Sequence, residues 1–467
     1  MQVSHRFAAD SAVFDEGHIV SCAGLVPVLA LAERTGLPEL LADKVWIRAP
    51  RIASGSANPA AKLTTLIAGM CVGADSIDDV ELVRCGGMKT LFDDVYAPST
   101  IGTLLREFTF GHARQLESVL GAHVARLAGA VALLPGADQR VFVDIDSLLR
   151  PVYGHAKQGA SYGYTKIAGK QVLRKGLSPL ATTISTANGS PVIAGLRLRA
   201  GRAASAKGAA RMIAQAIATA RGAGAAGQIL VRGDAAYGSS TVVAACRRAG
   251  ANFSLAMKRN PAIDRAIAAI DESAWAAVHY PGAVRDCDTG EWISDAEVAE
   301  IPYTAFASRY PVTARLIVRR VKDARFPDAL FPIWRYHPFL TDTDAPAAEA
   351  DIVHRQHAII ESVFADLIDG PLAHLPSGRF GANSAWVLCA AIAYNLLRAA
   401  GTLAGDRHGR AKGSTLRRCL VNIPARLARP QRRPILHLPT HWPWQKPWLR
   451  LWHNTIGQRP PPQVIPA

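Results

Sequence analysis

The sequence has no closely spaced pair of cysteines. Its seven cysteines, at positions 22, 71, 85, 246, 287, 389 and 419, are scattered without a CxxC or similar spacing. That excludes a disulfide framework, argues against a structural zinc site and fits a reducing cytosol. Long hydrophobic runs are missing too. The longest, Trp386 to Leu397, is interrupted by Asn395, followed by Arg398, and too short to span a bilayer. The first residues, MQVSHRFAADSAVF, lack the apolar core of a signal peptide. A cytoplasmic location and no membrane partner are therefore expected. Acid is scarce at one end: from position 401 onward there are twelve Lys/Arg and a single carboxylate, Asp406. With a net charge of +16 overall, that basic end suits a polyanion such as nucleic acid, although a solvated terminus has the same composition.

What is present is an ordinary globular composition, 49% apolar and 19% charged over 467 residues, enough for two to four domains. The organising stretch is Arg140–Ser147, RVFVDIDS. An apolar run ends in two aspartates, Asp144 and Asp146, two positions apart. In a strand the period of two puts both carboxylates on one face. The run is too continuous for a half-solvated edge and reads as a buried central strand. Carboxylates at the end of such a strand hold a metal or simply cap the next turn.

Residues 1–135 read as mostly helical. Leu25, Val28, Leu29 and Ala32 recur at helical spacing, Gly36–Pro38 interrupts, and further helices begin near Lys62, Ser76 and Pro98. A longer one over Gly111–Gly129 carries Leu116, Leu120, Val124 and Leu127 on one face. Small helices around Gly-containing turns suit either a helix-turn-helix module or a plain bundle. From residue 140 strands dominate: Leu177–Ser185 and Pro191–Leu198 flank an Asn188-Gly189 turn, a hairpin signal. An Ala-rich helix over 204–221 follows, then a second buried strand ending in Asp234, a strand over 252–259 and a helix near 263–270. That succession predicts an α/β fold with a mixed sheet. Residues 274–345, with Trp275 and Trp292, read as a β-rich insertion, and residues 347–369 and 383–400 as strong helices. In the first of these, His354, His357 and Glu361 stand at i, i+3 and i+7 on one face. Without HExxH spacing or a clear third ligand, zinc is not expected there.

At these residues the chain resembles the DDE transposases of bacterial insertion sequences. The match is carried by Asp144–Leu148 with Tyr153 and Gly154, by Arg232–Gly238, by His354–Glu361, and by His374–Ser377 with Asn383–Trp386 and Asn395–Arg398. Asp75–Asp79 and Ala97–Gly102 look familial as well. The resemblance implies a ribonuclease-H-like mixed-sheet core with a β-rich insertion before the last acid, plus a helical N-terminal DNA-binding region. The implied boundaries are 1–135 for that region, 136–273 and 346–404 for the core, 274–345 for the insertion and 405–467 for a basic tail that tracks DNA. Four Trp in the tail (442, 444, 448 and 452) fit either DNA tracking or a small packed core.

The implied catalytic acids are Asp146, Asp234 and Glu361, with Asp144 as an alternative or additional metal ligand. Leu148 stands where the family usually has Thr. His354 and His357 replace a Tyr and an Arg, and Ile368 stands where many relatives have Lys. The implied DNA contacts are His354, Arg355 and His357, with Arg106, Lys258 and Arg259. The cofactor implied is a pair of Mg²⁺ or Mn²⁺ ions, hard cations that three carboxylates from separate elements can hold. The implied partner is double-stranded DNA, both inverted repeats and target, bound by a homodimer. The competing readings are a metal-dependent nuclease of the same fold and a DNA-binding derivative without activity.

Overall fold

The computed structural model describes residues 11–48, 55–154, 156–167, 170–281, 287, 296–308, 310–323, 325–326, 330–429 and 434–457. The chain starts with a short strand, β1 (Ile19–Val20), and six helices: α1 (Leu25–Arg34), α2 (Leu37–Lys44), α3 (Pro59–Val72), α4 (Met88–Leu91), α5 (Pro98–Arg106) and α6 (Phe110–Ala130). Proline stands in the first turn of α2, α3 and α5, where its missing N–H costs nothing. Gly36, at φ 68°, makes the left-handed turn between α1 and α2. Helix α6 starts at a capping box: the Thr109 hydroxyl accepts from the His112 N–H, and His112 Nδ1 accepts from the Thr109 N–H. Its expected apolar face, Leu116, Leu120, Val124 and Leu127, is buried.

The centre is a sheet built from β2 (Arg140–Ser147), β3 (Arg150–Pro151), β4 (Ser161–Ile167), β5 (Lys170–Ser185) and β6 (Val192–Ala200), then β7 (Gln228–Gly233) and β8 (Asn252–Ala256). Helices α7 (Ala209–Gly222), α8 (Ser240–Arg248) and α9 (Pro261–Ala268) alternate with the later strands. The order β6-β5-β2-β7-β8 has two antiparallel pairings followed by two parallel ones. In chain order these strands run third, second, first, fourth, fifth, with α7 in the crossover, which is the ribonuclease-H-like arrangement. Strands β9 (Ala276–Ala277), β10 (Ala296–Ala305), β11 (Val312–Lys322) and β12 (Trp334–Thr341) do not form a sheet of their own. Strand β12 pairs with β8 and carries β11, β10 and β9 outward from the same sheet. Trp292 lies outside the described residues.

Helices α10 (Ala347–Arg355) and α11 (Ile359–Ile368) occupy the stretch expected to be one helix, separated by a 3₁₀ turn over Gln356–Ala358. Helix α12 (Phe380–Ala404) then passes between α3, α6 and β6. It is long and apolar enough to cross a membrane, but 89% of its most apolar window is buried inside the protein. The residues that carried the last stretch of the resemblance are its pins. Trp386 Nε1 donates to the Pro371 carbonyl at 2.6 Å, and Asn383 bonds both the N–H and the C=O of Ser377. Asn395 accepts from the Ile193 N–H (2.8 Å) and donates to its C=O (2.9 Å), taking the place of a neighbouring strand beside β6. Asn395→Ala leaves both Ile193 groups buried and unpaired. Urea denaturation should show a loss of about 3 kcal/mol, whereas a merely space-filling role predicts about 1 kcal/mol or less.

The C-terminal part packs rather than trails. After α13 (Gly413–Leu416), β13 (Ala425–Ala428) pairs with β1 and with β14 (Ile435–His437), and α14 (Gln445–Thr455) lies against α1 and α12. Trp448 and Leu451 are buried, and Trp442 Nε1 donates to the Cys419 carbonyl. Of the two readings of the Trp cluster, packing is the one the fold carries for these residues. Arg417 and Arg450 donate to the carbonyls of Asp369 and Ala404. Of the tail's other basic residues, Arg432, Arg433 and Arg459 lie outside the described residues. One continuous apolar core runs from Val20 to Leu451.

Candidate active site

Strand register sets the site. In the parallel pair β2/β7, Asp144 stands opposite Arg232 and Ile145 opposite Gly233, so the next position places Asp146 opposite Asp234. Alternation puts both cross-strand pairs on one face: an inner pair, Asp144/Arg232, and an outer pair, Asp146/Asp234, where the strands end.

The inner pair is closed. Arg232 Nε and Nη2 donate to the two oxygens of Asp144 at 2.7 and 2.8 Å, and both residues are almost fully buried. Its guanidinium lies 4.0 Å from the Phe142 ring centroid, and its Nη1 donates to the Val353 carbonyl in the last turn of α10. Burial pushes the Asp144 carboxyl up, and the charge of Arg232 opposes that shift. Both Asp144 oxygens are engaged by a guanidinium inside the protein, so a metal ligand role for Asp144 would compete with that ion pair.

The outer pair lies at the strand ends. Asp146 is half-buried and its Oδ1 accepts from the Ser147 N–H at 2.7 Å. Asp234 is exposed and its Oδ1 accepts from the Ala236 N–H at 2.9 Å. Tyr237 is fully buried between them. Burial pushes its phenol up, neighbouring Ser147 opposes the shift, and the charges of Asp146 and Asp234 add to it. The hydroxyl makes no well-formed hydrogen bond. Arg199, buried on β6 and held by the carbonyls of Ser178, Ala204, Ser205 and Lys207, lies within electrostatic reach of Asp146 and Tyr237. Sequence reasoning passed over Tyr237 and Arg199. The first stood inside a quoted stretch, and the second had only the weak signal of a cation in an apolar strand.

Glu361 is exposed in the first turn of α11, which packs on β2. Among the described residues no three acids, histidines or cysteines stand close enough to share one ion. The expected convergence of Glu361 with both aspartates is therefore not seen here. The 3₁₀ turn supplies a reason. Three residues at 3.0 per turn instead of 3.6 rotate all that follows by about 60° relative to one unbroken α-helix. The i, i+3, i+7 face is lost at that turn.

The expected DNA contacts divide. His354 is buried, stacked 4.2 Å from the Phe339 ring and bonded through Nδ1 to Ser254 Oγ at 2.9 Å. Burial pushes its pKa down to about 3, so it is a neutral packing residue. His357 is half-buried, with Nδ1 2.6 Å from the His354 carbonyl. Arg355 is exposed over the Tyr280 ring at 4.1 Å. Lys258 and Arg259 are exposed after β8, the latter paired with Asp264. Arg106 is exposed at the wall of a cavity of about 770 Å³ whose lining includes Ser76, Ser99, Tyr153, Lys157 and His374. Those walls come from several of the stretches that carried the resemblance.

The hard-oxygen character of the Asp146/Asp234 pair fits a hydrated divalent cation better than a soft metal. Comparison with known proteins gives three results. No curated protein matches the chain. Among solved structures, the piggyBac transposase synaptic complex with hairpin DNA is similar at 11% identity, over 84% of this chain and 79% of that one, with a TM-score of 0.37. The family described as Transposase DDE domain group 1 matches residues 10–459, nearly the whole length. The chain belongs to that family of DDE transposases.

Proposed function

We propose that this protein cuts DNA at the inverted-repeat ends of an insertion sequence and joins the freed strand ends to a target. The observation that carries this reading is the pair Asp146/Asp234 at the ends of adjacent parallel strands, set outside a neutralised Asp144/Arg232 pair. Asp146 and Asp234 would hold divalent cations through their carboxylate oxygens, with Glu361 as a third ligand delivered by α11. When bound, two Mg²⁺ or Mn²⁺ ions supply Lewis-acid polarisation of the phosphoryl group and neutralise charge at the attacking and leaving oxygens.

The chain's own groups do the positioning. Ser147 and Ala236 orient the two carboxylates through their backbone N–H groups. Arg199 offsets negative charge behind Asp146, and Tyr237 closes the floor of the site against water. Arg355, His357, Arg106, Lys258 and Arg259 hold phosphates. In this reading residues 1–135 contact the element ends, and 136–273 with 346–404 carry the chemistry. Residues 274–345 extend the sheet as an insertion. The active unit is a homodimer on DNA, in the cytoplasm.

The test is incubation with a duplex bearing the inverted repeats and a second target duplex, with Mg²⁺, with Mn²⁺ and with chelator. Metal-dependent cleavage followed by joined product is expected. Cleavage with no joining would point to a nuclease, and binding without either reaction to an inactive derivative. In the same system, replacing Arg106 and Lys258 by Gln should make the dependence of log K on log[salt] shallower by about 0.9 for each phosphate no longer neutralised. An unchanged slope removes them from the DNA path.

A further inference from the structure

Strand β5 is far longer than its place in the sheet needs. Its last ten residues are buried, while its first six are exposed or half-buried and pair only with β4. Together Ser161–Ile167 and Lys170–Lys175 make a two-stranded antiparallel ribbon, with Tyr162 opposite Lys175, Gly163 opposite Arg174 and Tyr164 opposite Leu173. Alternation puts Tyr162, Tyr164, Leu173 and Lys175 on one face. The two tyrosines and the leucine are 64%, 71% and 50% exposed, so this apolar face is left largely uncovered among the described residues.

The ribbon's charge has one sign. Between Asp146 and Asp234 the sequence holds thirteen Lys/Arg and neither Asp nor Glu. Lys170 and Arg174 are exposed on the ribbon itself, and among the described residues no ion pair involves them or Lys175. Direction matters as much. Strand β5 runs antiparallel to β2 with Ala181 opposite Asp146, so its exposed half extends beyond the end of β2 where the aspartates lie. Eight residues separate Ala181 from Leu173, about 27 Å of strand, less than the roughly 35 Å of one DNA turn.

From the proposed DNA-cutting function, on which this step rests, we infer that the β4–β5 ribbon enters the major groove of the bound duplex, within one helical turn of the scissile phosphate. The major groove is about 12 Å wide and admits a two-stranded ribbon. Leu173 and the tyrosine rings meet thymine methyl groups, the tyrosine hydroxyls reach base edges, and Lys170, Arg174 and Lys175 meet the flanking phosphates. The ribbon thus reads sequence next to the cut, a task otherwise left to the N-terminal helices.

The test uses the full-length protein and two surface variants, Tyr162→Ser/Tyr164→Ser/Leu173→Ser and Lys170→Gln/Arg174→Gln/Lys175→Gln. Each is measured for affinity on end-bearing and random duplexes, for protection of guanine N7 from methylation, and for the mass of the free protein. Wild type should protect major-groove guanines within one turn of the cut. The apolar variant should lose that protection and about tenfold of the preference for end-bearing DNA. The basic variant should bind both duplexes more weakly, with a salt slope shallower by about 2 to 3. Absence of such protection in wild type overturns the inference without any variant. So does an apolar variant that protects and discriminates as wild type does, or one that changes only the mass of the free protein, which would assign the ribbon to a second copy. Asp146→Asn, with the ribbon intact, should keep the protection while losing cleavage. Failure of wild type to bind any DNA would instead sink the proposed function, and the ribbon's role with it.

Discussion

Asp146→Asn and Asp234→Asn are each expected to abolish strand cleavage while leaving the protein as stable as before or slightly more so. The two carboxylates follow directly on the Asp144/Arg232 and Ile145/Gly233 positions, at the ends of adjacent parallel strands. Neighbouring like charges repel, so removing one is not expected to cost the fold. What it removes is the oxygen donor set for divalent cations, worth several kcal/mol at the transition state. At about 1.4 kcal/mol per factor of ten, cleavage should fall on the order of a thousandfold or more. The measurement is cleavage in Mg²⁺ and in Mn²⁺ beside a thermal melt and DNA affinity on the same preparations. Cleavage by Asp146→Asn within a few-fold of wild type would remove this residue from the site. Collapse of the melt would make it structural.

The sequence made the two aspartate strands legible because their signals are local. RVFVDIDS and QILVRGD are apolar runs that end in carboxylate, and period-two alternation needs no knowledge of the partner. The fold class followed from the order of strands and helices. The same locality explains what stayed hidden. Asp144 and Asp146 share a strand face, so alternation cannot tell them apart. The discriminating fact is an arginine 88 positions away that takes both oxygens of one of them. The helix over 347–369 has no proline or glycine to mark a break, yet it tightens at Gln356–Ala358, where Val353 and His354 give their carbonyls to Arg232 and to the His357 ring. Those bonds come from tertiary partners and from a ring, not from helix propensity.

Two other features were hidden for a common reason. The ribbon left no trace because Tyr162, Tyr164 and Leu173 stay exposed, and burial is what hydrophobic periodicity reports. The basic end pointed outward by charge, whereas Trp448 and Leu451 fold it back onto α1 and α12. Net charge describes a stretch's partners in solution but not whether its apolar residues find a core. A truncation from about residue 405 would accordingly strip packed elements from the core, and weakened DNA binding by such a protein would not isolate what the tail itself does on DNA.

The largest stability loss should come from the residue just beneath the Asp146/Asp234 pair. Arg232→Ala leaves the Asp144 carboxyl buried without its counter-ion, and also removes the donor to Val353 and the packing on Phe142. Breaking one side of a buried pair costs about 3–5 kcal/mol, whereas replacing both partners by apolar groups of similar size is often close to neutral. Denaturant unfolding should show Arg232→Ala and Asp144→Ala each strongly destabilised, and Asp144→Leu/Arg232→Met much less so than either. The double variant then separates two roles. If Asp144 serves only as the counter-ion that holds β2, β7 and the end of α10 together, the double variant should cleave DNA at a reduced but measurable rate below its melting temperature. The Asp146 variant should stay inactive under every condition. A double variant that is folded, binds DNA and cuts no better than Asp146→Asn would return Asp144 to the metal site.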